Sequence, residues 1–196
     1  MPNRLLIGFL MGACLARGAD LRYWIEPCTH AATACQSGDV QLAEWAFQAW
    51  QKAAGGKLKL EKVNQAEAAH IRLHWAEAGQ DQYGETIPVM VNGVRGAEVY
   101  VRPDLSVMSP DVGGPARKDA LLRDTIVYLT CLHETGHALG LSHTDAFPDI
   151  MYYFGYGGDI PEYFGRYRRT LRTRADIAKN SGLSPQDQAR LIQVLR

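Results

Sequence analysis

The chain predicts an α+β fold in a single domain, and three observations carry that expectation. Candidate elements run strand, helix, four strands and then helices, instead of alternating strictly. The 196 residues are enough for one domain with a proper core. No internal repeat or low-complexity linker divides them.

Each element can be justified in order. Leu21 to Glu26 alternates in the manner of a strand. Residues 28–38 read as a loop rich in Thr, Ala and Ser. Residues 39–54 then place Val40, Ala43, Phe47, Trp50 and Ala54 at helical spacing, and Gly55-Gly56 stops that helix. A second strand spans 58–63 and a third 70–75. In the third, Ile71, Leu73 and Trp75 share one face. His70, Arg72 and His74 share the other, where both histidines are expected to be solvated. Extended chain holds those two about 13 Å apart, too far to share an ion. Residues 86–91 and 97–101 read as two further strands, with Asn92-Gly93 as a turn signal between them. Residues 111–115 read as a connecting loop. A helix then runs from about Lys118 to Leu139, with Leu122, Ile126, Leu129 and His133 on one stripe. Ser184 as N-cap and Pro185 at the first helical position open a terminal helix.

Charge and cysteine set the context. With 21 basic and 21 acidic residues the formal net charge is zero, so no global field selects nucleic acid or a membrane surface. Met1 to Arg4 is a short basic region, Leu5 to Leu15 is apolar, and Ala16-Arg17-Gly18-Ala19 is mostly small. Residues 1–19 therefore read as a secretory signal peptide, too short to span a membrane, cleaved after Gly18 or Ala19. The expectation is a secreted or periplasmic domain at 20–196. Met11-Gly12-Ala13-Cys14 loosely resembles a lipobox, which leaves lipid anchoring through Cys14 open. If Cys14 leaves with the signal, Cys28, Cys35 and Cys131 remain. An oxidising compartment favours pairing Cys28 with Cys35. Cys131 lies about 200° around the helix from His133, so it should point away as a buried, inert thiol.

The chemistry concentrates in His133-Glu134-Thr135-Gly136-His137-Ala138-Leu139-Gly140-Leu141-Ser142-His143, which reads H-E-x-x-H-x-x-G-x-x-H. On a helix His133 and His137 project from one face, so both can reach one ion. Gly140 can take the positive φ that ends a helix sharply, letting His143 return from another direction. Three protein ligands leave the fourth tetrahedral position of a zinc ion to water, and Glu134 adjoins the first ligand as candidate general base. Three of the chain's six histidines fall in these eleven residues, and imidazoles are poor core fillers, so packing gives no reason for the cluster.

Together with Asp149-Ile150-Met151-Tyr152-Tyr153, the motif resembles the metzincin clan of zinc endopeptidases, and the element order resembles a matrixin-type catalytic domain. The resemblance is strong at the zinc motif and methionine turn, fair at Leu183-Ser184-Pro185-Gln186-Asp187, and topological elsewhere. It implies a zincin-like fold: a twisted five-stranded mixed sheet with an N-terminal helix, a zinc-binding helix and a C-terminal helix. It also implies a hydrophobic floor at Met151, and an edge strand, placed at 86–91, that binds extended protein or peptide substrate. The implied enzyme is a monomeric zinc metalloendopeptidase that needs no nucleic acid. Zinc on His133, His137 and His143 lowers the pKa of its water toward ~7, and Glu134 passes the proton from water to the leaving amine.

Tyr153 stands where some metzincin branches carry a tyrosine that binds zinc or stabilises the transition state, whereas matrixins often carry proline there. A catalytic Tyr153 and one packed beside the turn, its hydroxyl in solvent, both remain open. The family's pro-segment cysteine has no counterpart, since the first strand is expected directly after the signal. The histidine set of a second, structural zinc is absent from 77–96. Asp81 and Glu85 are candidate Ca2+ ligands, but two carboxylates fall far short of a calcium site. Residues 154–182 interleave Arg166, Arg168, Arg169, Arg172 and Arg174 with Tyr163, Phe164 and Tyr167. They read as a solvated helix with its aromatics inward or as a basic rim of the cleft. Two rival functions stand beside the peptidase: a non-catalytic zinc-containing peptide-binding protein, and a zinc hydrolase acting on a non-protein amide.

Overall fold

Five strands form one mixed sheet, in a computed structural model that describes residues 19–77 and 83–196. The expected signal segment up to Gly18, with Cys14, and the calcium candidate Asp81 lie outside those residues. The strands are β1 (Ala19–Ile25), β2 (Leu58–Lys62), β3 (Ile71–Trp75), β4 (Gly84–Val91) and β5 (Val94–Val101), in the order β2-β1-β3-β5-β4. The first four in that order pair in parallel, and β4 alone is antiparallel, at the edge beside β5. A parallel pair needs a long crossover, supplied between β1 and β2 by α1 (Asp39–Ala53). The antiparallel pair needs only two residues. Asn92 and Gly93 have φ of 52° and 78°, the signs a type I′ hairpin turn demands.

Period-2 alternation buries one face of each central strand: Ile71, Leu73 and Trp75 of β3 lie inside with Ala97, Val99 and Val101 of β5. Against them lie α1 and the long α3 (Ala120–Ala138), joined to each other by the buried Trp50 indole, which donates to the Leu132 carbonyl at 2.9 Å. Asp119 caps α3 by accepting from the amides of Leu121 and Leu122 at 3.0 and 3.1 Å. Shorter helices α4 (Ile160–Arg168) and α5 (Pro185–Val194) follow. Ser184 and Asp187 form the capping box that starts α5, with Pro185 at its first position.

Two sequence expectations change. Residues 111–115 are not a loop but part of α2 (Pro110–Lys118), which carries Pro115 inside it. Pro115 removes one helical hydrogen bond, yet Val112 and Ala116 are buried on one side, and that packing decides the outcome. His70 and His74 are half-buried instead of solvated. His70 Nδ1 accepts from the Arg22 amide at 2.9 Å, while His74 lies between Glu98, at 2.9 Å, and Glu26, at 3.5 Å. Of the two readings left open for 154–182, the structure favours the helix with its aromatics inward. Tyr163, Phe164 and Tyr167 face inward, Arg168 pairs with Asp119, Arg169 with Glu162 and Arg174 with Asp124. Cys28 and Cys35 are bridged, and Cys131 is a buried free thiol, as expected. No helix among the described residues is long and apolar enough to cross a membrane.

Candidate metal centre

The helix end sets up the site. Gly140 has φ of 99°, its amide donates to the His137 carbonyl at 2.9 Å, and the Leu141 amide donates to the Gly136 carbonyl at 3.0 Å. This pair of bonds is the Schellman arrangement, and it turns the chain back on itself so that His143 approaches its two partners on α3. The same turn brings the Leu141 carbonyl to His137 Nδ1 at 2.8 Å, while the Ile150 carbonyl meets His133 Nδ1 at 2.7 Å. Each Nδ1 therefore carries the proton, and each Nε2 presents a lone pair.

Those lone pairs converge. The Nε2 atoms of His133, His137 and His143 are 3.1–3.2 Å apart in all three pairings. A cation lying between them would satisfy all three nitrogens at once. A tetrahedral ion with nitrogens at about 2.0–2.1 Å separates them by about 3.3 Å. The donor set thus fits, and His133, His137 and His143 could hold a metal ion. Burial lowers all three imidazole pKa values. His133, also facing His137, is pushed down to about 3, so the cluster is neutral and ready to ligate.

Glu134, the residue after His133 in α3, reaches β4. It is buried, and desolvation pushes its carboxyl up to about 7 against the opposing hydrogen bond from Thr86. A cation on the three imidazoles would pull in the opposite direction, toward the ionised form. The Thr86 hydroxyl lies 2.7 Å from Glu134 Oε2 and 2.9 Å from the Glu134 carbonyl. Gly84 makes the close approach possible, because a Cβ there would lie 2.6 Å from Glu134 Cγ and 2.8 Å from Oε1. Neither Thr86 nor Gly84 is legible as a site residue in the sequence, since only strand register brings them to α3.

Met151, next to the Ile150 whose carbonyl meets His133, is fully buried. A Cβ on Gly136 would collide with its sulfur and lie 2.9 Å from Trp50, so the small residue inside the motif makes room for the methionine turn. That turn is pinned from several sides. Thr144 and Tyr152 form a bridge, with the Thr144 amide donating to the Met151 carbonyl at 2.8 Å. Asp187 of α5 accepts from the Ile150 amide at 2.8 Å, and Tyr163 of α4 donates to the Ile150 carbonyl at 3.0 Å. Ser184 donates to Asp149 at 2.7 Å. Asp187 and Tyr163 are further positioning residues that the motif alone does not disclose. In the sequence Asp187 stands only within the segment Leu183 to Asp187 that opens the terminal helix.

Tyr153 is 45% exposed, with its ring 4.7 Å from that of His143. It lines, with the three histidines and Glu134, a cleft of ≈ 790 Å³ whose opposite wall is β4. The arrangement therefore unites a metal-capable imidazole triad, a buried carboxylate and an open strand edge along one groove. Compared with known proteins, the chain matches no family model and no curated sequence.

Proposed function

We propose that this protein is an exported zinc-dependent endopeptidase of the metzincin clan, with a matrixin-like catalytic domain. One observation carries the reading. Three Nε2 atoms at 3.1–3.2 Å converge in the same cleft as the carboxylate of Glu134, the residue next to the first of them. The sheet order with a single antiparallel edge strand and the buried Met151 turn support the clan, and the Cys28–Cys35 bridge supports an oxidising compartment.

His133, His137 and His143 would hold Zn2+, which supplies Lewis acidity toward water and toward the scissile carbonyl. The remaining work falls to the chain itself. Glu134 accepts a proton from the attacking water and returns it to the leaving amine, the role for which a partly desolvated carboxyl is suited. Thr86 holds one carboxylate oxygen by donating to Oε2. The edge of β4 binds substrate by strand addition. The Arg102 amide donates to the Tyr83 carbonyl, so odd-numbered residues of β4 pair with β5, and Gly84, Thr86 and Met90 turn their backbone groups outward. Pro88 falls in the outward set without an N–H, which blunts the edge against pairing with another copy. Tyr153, whose ring lies 4.7 Å from that of His143, would donate its hydroxyl to the developing oxyanion.

The test is cleavage of casein or gelatin by the mature protein beside Glu134→Ala, with zinc measured on both. We expect about one zinc per chain in each and a loss of at least about a thousandfold in turnover for the variant. Undiminished hydrolysis by zinc-loaded Glu134→Ala would remove the base. Full zinc without cleavage of any protein would favour a peptide-binding protein or a non-protein amide as substrate.

A further inference from the structure

The two ends of the cleft differ chemically. One is walled by Tyr83, Phe154, Tyr163 and Phe164, and the other by Arg95 beside Gly140 and Ser142. Arg95 stands opposite Met90 across the β4–β5 hairpin, and cross-strand partners share a face, so it lies on the same face as Thr86 and Pro88. Its guanidinium rests over the turn that ends α3. A Cβ on Gly140 would lie 3.6 Å from its Nη1 and 3.7 Å from its Cζ.

Arg72, Arg123, Arg168, Arg169 and Arg174 each have a carboxylate partner. Among the described residues the guanidinium of Arg95 forms no ion pair, and the residue is exposed. The two cleft carboxylates, Glu134 and Glu85, belong to the region around Gly84 and Thr86, away from the hairpin end that holds Arg95. A guanidinium therefore faces the groove at one end only.

We infer that Arg95 is a specificity-determining residue that selects an acidic side chain in an extended peptide lying along β4. This rests on the peptidase reading of the site. The separation follows from strand geometry. Thr86, which holds Glu134, and Met90, opposite Arg95, are four residues apart, or about 13 Å. Allowing for the length of the arginine side chain, the acidic residue lies about two to four positions from the reacting bond, on the Gly140 side alone. A guanidinium suits the task because its planar fork meets a carboxylate with two parallel hydrogen bonds, which neither amide nor ammonium reproduces.

The experiment is fluorescence anisotropy with zinc-loaded Glu134→Ala protein, which binds without turnover. Labelled ten-residue peptides carry Asp or its neutral isostere Asn, stepped through each position. At about 0.15 M salt we expect Asp to bind about fivefold to tenfold tighter than Asn at one or two adjacent positions, with no preference on the opposite flank. Adding Arg95→Glu, with zinc content and melting temperature checked as unchanged, should abolish that preference and favour Lys at the same positions. Equal affinities, no measurable binding of any peptide, or a preference for Asp that survives Arg95→Glu would overturn the assignment. Casein cleavage by the wild type is measured separately. Cleavage without acidic selection sinks Arg95 alone, whereas Asp-selective binding without cleavage keeps Arg95 and sinks the enzyme.

Discussion

Two groups of histidine occupy opposite sides of this sheet, and their partners give them opposite characters. At the cleft, His133 and His137 each give Nδ1–H to a backbone carbonyl, at 2.7 and 2.8 Å, leaving Nε2 as a lone pair aimed at a shared point. On the far face, His74 has a carboxylate at each nitrogen, Glu98 at 2.9 Å and Glu26 at 3.5 Å, and stacks on Tyr100. One environment presents bare nitrogens to a cation. The other sets a carboxylate beside each ring nitrogen. The residue type is the same, and what the second nitrogen touches decides whether it ligates or pairs.

The comparison can be broken at several points. Replacing His143 by Ala should have the largest effect, lowering zinc stoichiometry from about one to near zero and activity by over about a thousandfold. Metal analysis on the folded variant checks it, and retained stoichiometric zinc would mean that His143 does not ligate. Next is Asp187→Ala, which strips acceptors from the Ile150 amide and the Ser184 amide. We expect about 2–4 kcal/mol of lost stability by urea unfolding and a tenfold to hundredfold weaker hold on zinc. The link is physical, since Ile150 gives its amide to Asp187 and its carbonyl to His133 Nδ1. A variant destabilised to this degree with unchanged zinc affinity would confine Asp187 to capping α5. The smallest effect belongs to His74→Phe, which keeps the ring stack and loses the two carboxylate contacts. Stability should change by no more than about 1 kcal/mol, with zinc content and activity untouched. Any loss of zinc there would dissolve the distinction between the two groups.

Much of this is legible in the sequence alone. The three clustered imidazoles, Glu134, Met151 and the turn at Gly140 sit in one stretch of local sequence whose spacing is meaningful only on a helix that stops sharply. The hairpin at Asn92-Gly93 and the cap at Ser184 are likewise local, because a turn or cap needs only its own few residues to be recognised. The expectation for α2 failed for the converse reason: Gly113, Gly114 and Pro115 argue locally against a helix that burial of Val112 and Ala116 enforces.

What the sequence determined by itself is thus the short-range chemistry: which imidazoles lie one turn apart, where the helix ends, and which methionine follows. Only the tertiary structure decided what surrounds that chemistry. Strand register carried Gly84 and Thr86 to Glu134, forty-eight residues beyond Thr86. Docking of α5 brought Asp187 to the methionine turn, and the hairpin laid Arg95 beside Gly140. Spacing along the chain specifies a helix face because 3.6 residues make a turn, but no such period relates residues on separate elements. Those pairings follow from burying a shared core, a property of the whole fold.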